Sequence, residues 1–118
     1  MKDQGDRYYF GVNESKDNAK AREWYQKAAD KGSVDAMVSL GALYASGQGV
    51  TQDYAKAREW YQKAVDKGSA DAMYNLGNLY DDGHGVAQDF AKAREWYEKA
   101  ADKGDASAKA RLQQLPIR

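Results

Sequence analysis

Cysteine is absent from the 118 residues, and histidine and proline each occur once. Without cysteine there is no disulfide and no thiolate zinc site. Eighteen basic and eighteen acidic side chains cancel, so the chain lacks the one-signed field that nucleic acid or an anionic membrane would call for. No run approaches the roughly twenty apolar residues of a membrane helix. Residues 1–10, MKDQGDRYYF, hold no apolar stretch of leader type, and the expectation is a cytoplasmic, reducing compartment. With a single proline, Pro116, and abundant alanine, lysine and glutamate, the composition favours helix over sheet.

What is present is a period. Trp24, Trp60 and Trp96 are spaced by 36 residues, as are Tyr25, Tyr61 and Tyr97, and Gly32, Gly68 and Gly104. The segments DNAKAREWYQKAADKG (17–32), DYAKAREWYQKAVDKG (53–68) and DFAKAREWYEKAADKG (89–104) are near copies. Gly41, Tyr44, Gly47 and Gly49 recur as Gly77, Tyr80, Gly83 and Gly85. The register extends backwards to Gly5, Tyr8 and Gly11 and forwards to Ala108, Leu112 and Leu115. A regular period of this length marks a helical repeat array.

Each repeat reads as two helices. Helix B spans 53–67 in the second repeat, capped by Asp53 and stopped by Gly68, which takes a left-handed conformation. Tyr54, Ala57, Trp60, Tyr61 and Ala64 follow the spacing of one buried stripe, and Glu59 and Lys63 form an i, i+4 pair on the wet face. Helix A spans 69–82 in the third repeat, with Ser69 as cap and Met73, Leu76, Leu79 and Tyr80 on its core side. Gly77 lets helix B approach. Short B-to-A links force antiparallel neighbours, and the G-x-G-V loops join A to B. One such pair cannot bury its own stripe, so the repeats stack. The expected fold is an all-α, α/α superhelical solenoid of about three 36-residue helix–turn–helix repeats. It forms a single domain over 1–118: a partial first repeat (1–32), a second (33–68), a third (69–104) and a C-terminal capping helix (105–118).

The run Leu76, Gly77, Tyr80, Gly83, Gly85, Val86, Asp89, Lys92, Ala93, Trp96, Tyr97, Lys99, Ala100, Ala101 and Gly104 resembles the Sel-1-like repeat family, relatives of the tetratricopeptide repeats. The resemblance implies a superhelical adaptor or scaffold for protein complexes. One branch of that family carries a cysteine pair per repeat and is linked to β-lactam binding. With no cysteine and no S-x-x-K, this chain departs from it, which argues against a small hydrolase. The first repeat also departs: Gln4 and Arg7 stand where the second has Leu40 and Leu43. A weakly held first helix is expected, frayed or covered by a second copy of the chain in a homo-oligomer. At the other end Gln113 replaces the glycine, and Lys109 and Arg111 suit a terminal cap facing water.

No residue set carries chemistry. His84 lies in a loop beside Asp81 and Asp82, and the second repeat has Ala45, Ser46 and Gln48 there. A lone histidine falls short of a metal site, so no metal and no cofactor is expected. The glycine pairs at 47–49 and 83–85 are turns, and the Trp-Tyr pairs are core. The remaining candidate is the open side of helix A, expected to line a concave groove: Asp35, Val38 and Ala42 in the second repeat, and Asp71, Tyr74, Asn75, Asn78, Asp81 and Asp82 in the third. Of these, Tyr74 and Asn78 are expected to contribute little to the core. The repeats agree at core positions and differ across much of this face, as a recognition surface would, although neutral drift at exposed sites would look similar. Asn78 stands where peptide-binding tetratricopeptide domains hold an amide-clamping asparagine. The lysines that grip an acidic C-terminus are replaced by Asp71 and Tyr74. The expected function is non-catalytic binding of a partner protein's peptide or helix, with no nucleic acid and no membrane; self-assembly is the alternative.

Overall fold

The structure, a computed structural model, describes residues 14–115, so the expectation for the first A helix lies outside the described residues. Among the described residues six α-helices follow one another: α1 (Glu14–Asp30), α2 (Val34–Ser46), α3 (Tyr54–Asp66), α4 (Ala70–Asp82), α5 (Phe90–Asp102) and α6 (Ala106–Gln114). No strand occurs among the described residues. The all-α repeat fold expected from the 36-residue period is therefore present, with α2, α4 and α6 as A helices and α1, α3 and α5 as B helices. By contacts the chain divides into two compact units, Met1–Ala64 and Val65–Arg118; each is described by itself.

The helix starts are where the polar residues put them. Ser33 Oγ accepts from Ala36 N–H at 3.2 Å and Ser69 Oγ from Ala72 N–H at 3.1 Å. Asp53, Asp89 and Asp105 do the same for Lys56, Lys92 and Ala108, at 3.1, 3.0 and 2.9 Å. Each such bond satisfies an N–H that the first turn leaves free. Helices α2 and α4 end on Gly47 and Gly83, with φ of +73° and +71°, a conformation that costs other residues about 1–2 kcal/mol. The A-to-B loops are fixed by the same bonds in both units. Asp53 N–H donates to Tyr44 O at 2.8 Å and Asp89 N–H to Tyr80 O at 2.9 Å. Gln52 and Gln88 side chains donate to the carbonyls of Ala45 and Asp81, both at 2.8 Å.

In the first unit the buried positions are Ala21, Tyr25, Ala28 and Ala29 of α1, Ala36, Met37, Leu40 and Leu43 of α2, and Ala57, Tyr61 and Ala64 of α3. Tyr61 covers Gly41 so closely that a Cβ there would stand 2.4 Å from its ring. In the second unit α4 packs on α5 and α5 on α6. Met73, Ala93, Tyr97, Ala100, Ala108 and Leu115 form one core, and Tyr97 covers Gly77 as Tyr61 covers Gly41.

The tryptophans are less central than the stripe implies. Trp24, Trp60 and Trp96 are half-buried, and the following tyrosine takes the core position. Each indole lies at the edge of the stripe, with Lys27, Lys63 or Lys99 over its ring at 5.2, 4.4 or 4.6 Å. Lys63 thus lies over Trp60, the cation–π contact taking the place of the expected pair with Glu59.

Burial pushes the Tyr61 phenol up to about 12 from its ordinary 10.0. The unfolded chain therefore releases this proton first, so the contribution to stability is whole below pH 10 and is lost as pH rises towards 12. The loss over that window is about 2–3 kcal/mol. Urea unfolding of the protein and of Tyr61→Phe, each at several pH values from 9 upward, checks this. The phenylalanine variant should show the shallower alkaline decline; parallel declines would mean that Tyr61 is not held neutral.

Candidate functional site

The candidate residues lie on the sides of α2 and α4, and the structure divides them. On α2, Asp35 and Ala42 are exposed and Val38 and Ser39 half-buried. On α4, Asp71 and Asp82 are exposed, Tyr74, Asn75 and Asn78 are half-buried, and Asp81 is buried. The burial of Asp81 corrects the expectation that it opens into a groove. Position 81 lies towards α5 and α6, and its carboxylate pairs with the guanidinium of Arg111 on α6.

That pair belongs to a polar network confined to the second unit. The Tyr97 O–H donates to Asn78 Oδ1 at 2.6 Å, and Asp81 Oδ2 is 3.2 Å from the same phenol oxygen. The Arg111 guanidinium also stands 5.9 Å from the centre of the Tyr97 ring. A phenol has one proton to give, and it goes to the nearer oxygen, on Asn78. The Asn78 amide is thereby turned with its oxygen inward, leaving its NH2 group as donor. Burial pushes the Tyr97 phenol well above its ordinary range; the nearby Arg111 guanidinium pulls it back and the Asp81 charge raises it further. The neighbouring Tyr97, helped by Asp81, raises Arg111 despite its partial burial. Tyr74 adds an aromatic contact, its ring 5.7 Å from that of Tyr97 and tilted by 42°. Tyr74 and Asn78 therefore support the core on one side, contrary to the expectation that they contribute little to it.

Arg111 does more than cap the chain towards water, and sequence reasoning missed that role. A signal was available: α4 ends with an acid at position 81, where α2 has Ala45, and an arginine follows on the next A helix. His84 is exposed, and among the described residues no three His, Asp or Glu side chains converge as a metal site requires. No described helix is long and apolar enough to cross a membrane.

The Sel1 repeat family model matches residues 5–33, 34–69 and 70–105. The chain belongs to the Sel1 repeat family. Solved structures agree. A Sel1 repeat protein from Oxalobacter formigenes is 37% identical with a TM-score of 0.80, over 92% of this chain and 44% of that one. A protective antigen present in uropathogenic Escherichia coli strains, displaying the same repeat fold, is 36% identical with a TM-score of 0.83, over 96% and 25%. The cysteine-rich protein B of Helicobacter pylori is 30% identical with a TM-score of 0.71, over 79% and 70%. The chain spans less than half the length of the first two. No curated protein matches it. Sel1 repeats are generally non-catalytic scaffolds that mediate protein–protein interaction.

Within this Sel1 repeat chain, Arg111→Ala should destabilise by about 1–3 kcal/mol, because it leaves the Asp81 carboxylate buried without its cation. Adding Asp81→Ala, which gives the position the alanine of α2, should recover part of the loss. Lys109→Ala, at an exposed site of the same helix, should change little. Urea unfolding reads all three; an Arg111→Ala variant as stable as the parent would show the network to be ornamental.

Proposed function

We propose that the chain binds a peptide or a helix of a partner protein along the open sides of its A helices, without catalysis. The observation that carries this reading is a contrast between the two kinds of helix. The buried positions of α2, Ala36, Met37, Leu40, Gly41 and Leu43, recur unchanged in α4 as Ala72, Met73, Leu76, Gly77 and Leu79. Val38, Ser39, Ala42, Ala45 and Ser46 become Tyr74, Asn75, Asn78, Asp81 and Asp82, and none of the five is buried in α2.

Drift at exposed sites would vary the B helices as well. It has not done so. Lys56, Arg58, Glu59, Lys63 and Asp66 of α3 are all exposed, and α5 repeats them as Lys92, Arg94, Glu95, Lys99 and Asp102. Variation is concentrated on the A-helix side, which supports a surface fitted to something outside the chain. In the first unit α2 offers apolar contact through Val38; in the second, α4 offers it through Tyr74, with hydrogen bonding through Asn75 and the Asn78 amide. That mixture suits a peptide or helix laid along the face.

A photo-crosslinking amino acid placed at Asn75 and, in a second sample, at Glu95 on α5 tests the assignment in cells. A defined protein should be trapped from position 75 and not from 95. Trapping from 95 alone would move the binding surface to the B helices and remove this reading.

A further inference from the structure

The last turn of α4 breaks a rule that α2 keeps. A helix C-terminus carries partial negative charge and disfavours acids. α2 ends on Ala45 and Ser46, whereas α4 ends on Asp81 and Asp82. Arg111 answers Asp81. Asp82 is exposed, and among the described residues no basic group pairs with it. An uncompensated acid at the unfavourable end of a helix gives the fold nothing, so its use lies elsewhere.

Helical geometry places Asp82 in a row. Asp71, Asn75, Asn78 and Asp82 stand at i, i+4, i+7 and i+11, a single stripe of α4 with Tyr74 along its edge. Neither α2 nor α4 contains lysine or arginine. α4 therefore supplies no cation to its two exposed carboxylates, and Arg111 of α6 is taken by Asp81. At a rise of 1.5 Å per residue those two carboxylates are about 16 Å apart, too far to share one metal ion but matched to side chains of a longer ligand. Arg111 shows what this side of the unit does with a guanidinium: it pairs it with a carboxylate and sets it against the Tyr97 ring.

We propose that the α4 face docks a basic segment of the partner protein, with lysine or arginine side chains on Asp71 and Asp82 and backbone carbonyls on the Asn75 and Asn78 amides. In an extended segment those two cations stand about five residues apart. The proposal rests on the A-helix side being the partner surface and adds the charge of what binds there. An acidic or neutral segment would leave both carboxylates unpaired on binding, which selects against it.

The test pans a display library of random peptides against the whole 118-residue chain and measures the enriched peptides on three variants. Asp71→Asn/Asp82→Asn removes the charges at exposed sites, so circular dichroism should be unchanged. Asn75→Trp blocks the face whatever the charge of the ligand. Enriched peptides should carry lysine or arginine, bind more weakly as salt rises, and lose about tenfold or more in affinity on the double asparagine variant. Enriched peptides that Asn75→Trp blocks but the asparagine pair does not would leave the face as a binding surface and overturn its preference for bases. Peptides indifferent to both changes, or no enrichment at all, would overturn both readings. As third variant, Lys99→Gln on α5 should leave binding unchanged; a loss there equal to that of the asparagine pair would also overturn the proposal.

Discussion

In each unit a tyrosine ring of helix B packs against the bare backbone of helix A. A Cβ added at Gly77 would come within 2.6 Å of the Tyr97 ring, and one at Gly41 within 2.4 Å of Tyr61. No ordinary side chain fits in that space. The contact fixes how close the two helices stand, and with it which positions turn inward. Ala93 and Ala100 share the B-helix stripe with Tyr97, and Met73 and Leu76 flank Gly77 on α4; all are buried. Alanine is used because the helices are already close, and tryptophan is pushed to the edge of the stripe, where a lysine covers its outer face.

A constraint so tight leaves little freedom inside the repeat, and most of the change between the two helix pairs falls on one side of the A helices. There α4 has Asn78, Asp81 and Asp82 in place of the alanines and serine of α2. Asn78 and Asp81 are tied to the phenol of Tyr97, the same residue that sets the helix spacing. The packing contact thus also orients an amide on the surface, and Arg111 from the terminal helix completes the arrangement. Asp82 remains outside the network, on the stripe that begins at Asp71.

The parts of this structure that repeat were legible from residue spacing. The period located the six described helices, Ser69 and Asp53 marked starts among them, Gly68 and Gly83 ends, and Gly77 the close approach. These signals are local, or are copied three times, so spacing alone exposes them. The Asp81–Arg111 pair was not legible, because it joins residues thirty apart in one unit only and both look like solvent-facing charges in their own helices. The half-burial of Trp60 was missed for a different reason. Helical spacing identifies a stripe but not its centre, and indole and phenol both fit the pattern until the glycine opposite chooses the tyrosine. The candidate residues lie along the sides of the A helices, as their spacing requires. Which of them the core had already taken needed the neighbouring helices.

A double-mutant cycle measures the tyrosine–glycine contact directly. Gly77→Ala should cost about 1–3 kcal/mol in the parent through overpacking, against the gain of up to about 1 kcal/mol that alanine brings to a helix. In a Tyr97→Ala background the clash is gone, and the same change should become neutral or stabilising, giving a coupling well above the few tenths of a kcal/mol expected of independent sites. If Gly77→Ala has the same effect with and without Tyr97, the ring does not set the spacing of the helices, and the repeat's invariant interior has another cause.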